Sequence, residues 1–213
     1  KDYPPSYERR LWGLHDAPGY VRNLFNLPVI AYSGEVDKQK QAADVMAEAF
    51  ATHDRELTHL IGPKMGHKYD DASKKKILAF VRKAFEYGRE INPQEVHVQT
   101  QTLKHNRVRW IYVSGLREHW KDSRVDAYYE AEASTLEMMT KNVSSLILMH
   151  PNPNCCGGLN GYALSIDESK IEVPSGRLSV SLARQSDGTW AVEDPPEGLR
   201  KKHGLQGPID DAF

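Results

Sequence analysis

Apolar residues run unbroken from Leu27 to Tyr32, the pattern of a parallel-sheet strand covered on both faces. The spacing then changes. Between residues 39 and 52, Ala42, Val45, Met46, Ala49 and Phe50 recur at i, i+3, i+4, i+7 and i+8, which predicts an amphipathic helix. Leu57, Leu60 and Ile61 mark a second short strand. A second helical stripe follows over about residues 71 to 87, formed by Ile77, Leu78, Val81, Ala84 and Phe85, with Lys74, Lys75 and Lys76 outside it. Strand, helix, strand, helix predicts right-handed crossovers onto a parallel sheet.

From Glu95 onward the period falls to two. Val96 and Val98 alternate with polar neighbours, as do Val108, Trp110 and Tyr112, with Ile111 and Val113 on the opposite face. Further strands are predicted at 124–131, 135–140, 144–149, 162–166, 178–183 and 189–193. Hairpin signals stand at Ser186-Asp187-Gly188-Thr189 and Pro174-Ser175-Gly176. Seven or eight short strands of this kind predict an antiparallel β-sandwich. The change of period falls at Gly88-Arg89-Glu90-Ile91-Asn92-Pro93, where a proline would stop a helix. The expected organisation is therefore α/β over 1–91 followed by all-β over 92–213.

Bulk composition narrows the function classes. The 213 residues carry a formal net charge of -1, with 39% hydrophobic and 27% charged residues, so nothing in the charge balance calls for a nucleic-acid or membrane partner. No apolar run approaches the roughly eighteen residues of a membrane span. Lys1-Asp2-Tyr3-Pro4-Pro5 is neither a signal peptide nor an initiator start, and reads as a cut inside a longer protein. The ending from Gly204 to Phe213 reads the same way. Cys155 and Cys156 are adjacent and supply no disulfide framework, so the compartment is left unassigned.

The chemistry concentrates in two stretches. Pro28-Val29-Ile30-Ala31-Tyr32-Ser33-Gly34-Glu35-Val36-Asp37 is a strand entering a glycine turn that ends on an acid, and Gly62-Pro63-Lys64-Met65-Gly66-His67 is a strand end followed by a glycine-flanked histidine. In parallel sheets function gathers at the carboxyl ends of strands. An acid there can accept the Nδ1 proton of a histidine, leaving Nε2 to take a proton from a nucleophile. Gly66 would leave room beside the imidazole. The plainer assignments are a helix N-cap for Asp37 and a structural turn histidine for His67.

The segments LPVIAYSGEVDKQKQAADVMAEAF and GPKMGHKY resemble the prolyl-oligopeptidase-like serine peptidases and esterases of the α/β-hydrolase group, over residues 20–90, about a third of the chain. The resemblance implies that Asp37 is the triad acid and His67 the triad base, and acid before histidine is the order that group uses after its serine. The group's Gly-x-Ser-x-Gly elbow has no counterpart among the 36 residues before Asp37, and Ser33 sits on the acid loop. What is implied is the C-terminal part of an α/β-hydrolase domain, a serine-hydrolase fragment that needs no cofactor or metal. Its substrate would be a peptide or an ester. The missing N-terminal hydrolase segment, or another chain, would lie against the sheet edge at Leu27 to Tyr32. The rival is a non-catalytic binding or scaffolding module, a degenerate hydrolase fold whose sandwich binds a glycan or a protein.

The second half offers weaker candidates. Trp110, Tyr112 and Trp190 are expected in the core, together outweighing a sugar-binding role that Tyr128 and Tyr129 would share, while Trp120 in a polar loop is the expected exposed contact. The loop from His150 to Gly158 matches no zinc spacing. Asn142-Val143-Ser144 fits a glycosylation acceptor, and Arg200, Lys201 and Lys202 form a small basic surface.

Overall fold

The computed structural model describes residues 3–13, 15–90, 93–151, 158–195 and 197–205. It is a mixed α/β chain, rich in strands and poor in helices. Two compact units emerge, one of Ala17–Ile91 and one of Lys1–Asp16 with Asn92–Phe213. The first helix, α1 (Ser6–Trp12), thus groups with the β-rich unit, whereas the sequence placed residues 1–16 in the α/β part. Close packing of Gly13 accounts for this: a Cβ there would press on the Gln101 side chain, which donates to the Gly13 carbonyl at 3.5 Å.

The α/β unit opens with a 3₁₀ segment, Ala17–Asn26. It continues through β1 (Ile30–Gly34), α2 (Gln41–Ala51), β2 (Thr58–Gly62) and α3 (Asp71–Tyr87). The strands pair in parallel, in register from Ile30 opposite Thr58 to Gly34 opposite Gly62. Val21, Phe50 and Leu57 form a small core with Leu24, Phe25 and Met46 around them, and Phe25 meets Phe50 edge-on at 5.3 Å. Because α2 packs more on the 3₁₀ segment than on β1, its inward stripe turns to Met46, Ala47, Ala49 and Phe50, while Ala42 and Val45 are exposed. A sheet two strands wide cannot enclose its members. Ile30, Ala31 and Tyr32 are accordingly half-buried and Leu27 exposed, not covered on both faces as the apolar run suggested. The predicted stripe of α3 is split: Ile77 and Ala84 are half-buried, while Leu78, Val81 and Phe85 are exposed at 55%, 53% and 86%.

Among the described residues the β-rich unit has ten strands in two five-stranded sheets. The strands are β3 (Glu95–Thr100), β4 (Arg107–Val108), β5 (Ile111–Leu116), β6 (Ser123–Glu130), β7 (Thr135–Lys141), β8 (Val143–Met149), β9 (Ala163–Ile166), β10 (Ser169–Ile171), β11 (Ser179–Arg184) and β12 (Trp190–Val192). One sheet has the order β10-β9-β7-β6-β3 and the other β12-β11-β8-β5-β4. All pairings are antiparallel except β7 with β9. Alternate residues of both sheets, among them Val98, Val125, Leu136, Ile111, Leu146 and Leu182, enter one hydrophobic core, which is what the period of two requires.

Three local features depart from the sequence pattern. The run Val108 to Tyr112 is not one strand: Arg109, at φ +54°, and Trp110 turn the chain between β4 and β5, which pair with Val108 opposite Ile111. On β5, Ile111 and Val113 are buried while Tyr112 is half-exposed. The three-residue β10 was not expected. The Pro174–Gly176 turn links β10 to β11, which lie in different sheets, and so closes no hairpin. The Asp187-Gly188 turn does join paired strands, β11 and β12, with Gly188 at φ +92° and Asp187 Oδ1 accepting the Thr189 amide at 2.9 Å.

Candidate functional site

The two rim loops of the parallel pair are stitched together by backbone bonds that continue past the strands. Glu35 N–H donates to Gly62 O at 2.9 Å and Val36 N–H to Met65 O at 3.0 Å. The close approach depends on Gly34: a Cβ there would overlap the carbonyl oxygens of Met65 and Gly66. At Gly66 itself a Cβ would meet nothing within 4 Å, so the glycine that lets these loops meet is Gly34.

This stitching brings the two predicted residues together. His67 Nδ1 lies 3.0 Å from Asp37 Oδ2. The other carboxylate oxygen, Oδ1, accepts the Gln39 amide at 2.9 Å. Asp37 therefore does not cap α2 in the way expected. The helix begins at Gln41, with Lys40 in the N-cap position and no side-chain cap, and Asp37 closes the preceding turn. The Gln39 N–H, followed by the His67 hydrogen bond, holds the Asp37 carboxyl below its usual value of 3.8. The Asp37 side chain is 10% exposed and that of His67 79%. Among the described residues Nε2 of His67 has no partner, so a carboxylate-oriented imidazole presents its second nitrogen to solvent. That arrangement suits proton transfer at Nε2.

Other polar groups pair as well, and Ser33, expected on the acid loop, lies within β1. Ser33 Oγ is 2.9 Å from His59 Nε2, and His59 Nδ1 is 3.8 Å from Asp44 Oδ1. The order serine, histidine, acid is suggestive, but Ser33 is only 5% exposed within β1 and offers no surface to a substrate. Its signal was the period of two on β1, which puts Ser33 and Ala31 on one face. In the β-rich unit His97 is buried between carboxylates, with Nδ1 2.6 Å from Asp126 Oδ1 and Nε2 3.3 Å from Glu95 Oε2. With both nitrogens engaged it is a cross-strand tie, seated opposite Asp126 in the β3–β6 register.

The weaker candidates resolve individually. Trp110 and Trp190 are buried. Trp120 is half-buried at φ +64°, its amide bonded to Gln101 O at 2.7 Å, and is no open platform. The Asn142 amide nitrogen donates to Glu118 O at 2.7 Å and Ser123 Oγ at 2.8 Å, bonds that a glycan on that nitrogen would disturb. Cys155 and Cys156 lie outside the described residues. Among the described residues no group of three metal-ligating side chains occurs, and no helix is long and apolar enough to cross a membrane. No family model, curated protein or solved structure matches the chain.

Proposed function

We propose that residues 17–91 are the acid–histidine portion of a serine-hydrolase domain of the α/β-hydrolase kind, a peptidase or esterase, followed by an accessory β-sandwich. The observation that carries this reading is the 3.0 Å contact of His67 Nδ1 with Asp37 Oδ2 at the carboxyl rim of a parallel strand pair, with Nε2 facing outward. In the reaction, a serine supplied by another segment attacks the substrate carbonyl. His67 Nε2 takes the hydroxyl proton and returns it to the leaving group, while Asp37 keeps Nδ1 protonated and offsets the charge of the imidazolium. No cofactor takes part. The segment carrying the serine adds strands to the open edge of the pair and covers the α3 stripe; the exposure of Leu78, Val81 and Phe85 supports this.

The test is labelling of the longer protein that contains this chain with a fluorophosphonate probe, wild type against His67→Ala. Labelling that disappears in the variant is expected. A folded wild type that does not label overturns the hydrolase reading in favour of a non-catalytic binding module.

A further inference from the structure

We propose that Tyr32 and Glu35 are positioning residues that hold the His67 loop in register with Asp37, an inference that rests on the acid–histidine reading above. Both belong to the stretch that leads to Asp37, and they grip the loop on opposite sides of the histidine. The Tyr32 hydroxyl donates to Lys68 O at 2.9 Å and accepts the Asp70 N–H at 3.3 Å. Its ring lies against Tyr69 with centroids 4.6 Å apart. On the other side Glu35 Oε2 accepts the Lys64 N–H at 2.7 Å, where the backbone is left-handed at φ +55°.

These anchors are needed because packing does not supply them. The His67 side chain is 79% exposed, so its direction follows the backbone beneath it. An imidazole–carboxylate hydrogen bond fails once the atoms separate to about 3.6 Å, which leaves little slack beyond the observed 3.0 Å. Along β1 and its turn the duties are serial. Tyr32 holds Lys68 and Asp70, Gly34 admits Met65 and Gly66, Glu35 holds Lys64, Val36 holds Met65, and Asp37 receives His67. Tyr32 also fixes the entry to α3, since Asp70 is that helix's N-cap and accepts the Ser73 amide at 2.9 Å.

The experiment reads the tautomer of His67 from its two imidazole ¹⁵N shifts in the full chain, at a pH where the ring is neutral. An imidazole bonded to Asp37 carries its proton on Nδ1, and Asp37→Asn sets the value without the carboxylate. Tyr32→Phe keeps the ring and its contact with Tyr69 but removes every hydroxyl bond, the 3.5 Å approach to Asp70 Oδ2 included. Glu35→Ala removes the Lys64 anchor, whereas Glu35→Gln keeps a carbonyl oxygen that can accept the same amide. Tyr32→Phe and Glu35→Ala are expected to move the Nδ1–H population at least halfway to the Asp37→Asn value, and Glu35→Gln to restore it. Unchanged populations in both overturn the positioning role and leave the acid–histidine pair standing. A wild-type His67 protonated on Nε2 overturns the pair and the positioning role together. Should Tyr32→Phe fail to fold, the Glu35→Ala and Glu35→Gln comparison decides the matter alone.

Discussion

Asp167 is the residue whose loss should damage the β-rich unit most for its size. It sits in the β9–β10 turn and receives bonds from both sheets. From β7 it accepts the Thr140 amide and hydroxyl, each at 2.6 Å. From β11 and β12 it accepts Arg184 Nη1 at 2.8 Å and the Trp190 indole N–H at 2.9 Å. Replacing it by alanine strands the buried indole N–H and the half-buried Thr140 amide, and a buried donor without a partner costs about 1–3 kcal/mol. The Thr140 hydroxyl and the Arg184 guanidinium can turn to water, so they add at most about 1 kcal/mol. Asp167 also has φ +45°, which aspartate tolerates better than alanine. The expected loss for Asp167→Ala is therefore about 3–4 kcal/mol, with Asp167→Asn, which keeps one acceptor oxygen, near half of that. Urea unfolding followed by tryptophan fluorescence measures it cleanly, because all four tryptophans belong to the β-rich unit and its transition can be fitted separately. A loss below about 1 kcal/mol for Asp167→Ala would refute the reasoning, since it would mean the stranded donors find other partners.

Gly34→Ala should destabilise the α/β unit by about 1–3 kcal/mol, as overpacking does, and break the His67–Asp37 contact; Gly66→Ala should stay within about 0.5 kcal/mol. Thermal melts of the two variants check this, and equal effects would contradict the assignment of the close approach to Gly34. Asp37 should titrate below 3.8, its carboxyl held down by the Gln39 amide and by His67. Its contribution to stability is then fully present above that value and lost as the pH falls through the lower folded value. A carboxyl ¹³C titration with its midpoint at or above 3.8 would count against the hydrogen bonds described. The open strand pair and the α3 stripe should make the chain self-associate with rising concentration, and Phe85→Glu should weaken that association. A single monomeric species across the range in sedimentation velocity would remove the argument for an uncovered surface.

The site was legible because its signals are short-range. A strand, a glycine turn and an acid, then a strand end and a Gly-His pair, place Asp37 and His67 at adjacent ends of neighbouring strands once the pairing is parallel. Strand existence in the second half was legible for the same reason, since alternation is written residue by residue. What the pattern did not carry was the turn at Arg109-Trp110, which reverses the chain between β4 and β5 and leaves Tyr112 half-exposed on β5. Nor could alternation say which strands share a sheet. The role of Asp167 depends on Arg184 and Trp190 arriving from a different sheet. His59 had no signal of its own, and only the parallel register brings it beside Ser33.

Polar and apolar information therefore act over different ranges in the α/β unit. The hydrogen bonds that shape the acid–histidine pair join residues 32–39 to residues 62–70, and each can form as soon as β1 and β2 pair. On α3, Ile77, Phe80 and Ala84 are half-buried, yet Leu78, Val81 and Phe85 find no cover among the described residues. A sequence in which local choices support one fold does not maintain such a stripe for solvent, where each large apolar side chain forgoes about 1.5–3 kcal/mol of burial. The unit is thus finished at its polar rim and open along one side of α3. That is the condition the proposed hydrolase reading requires, in which proton transfer is set by the unit's own strands and a further segment closes the core.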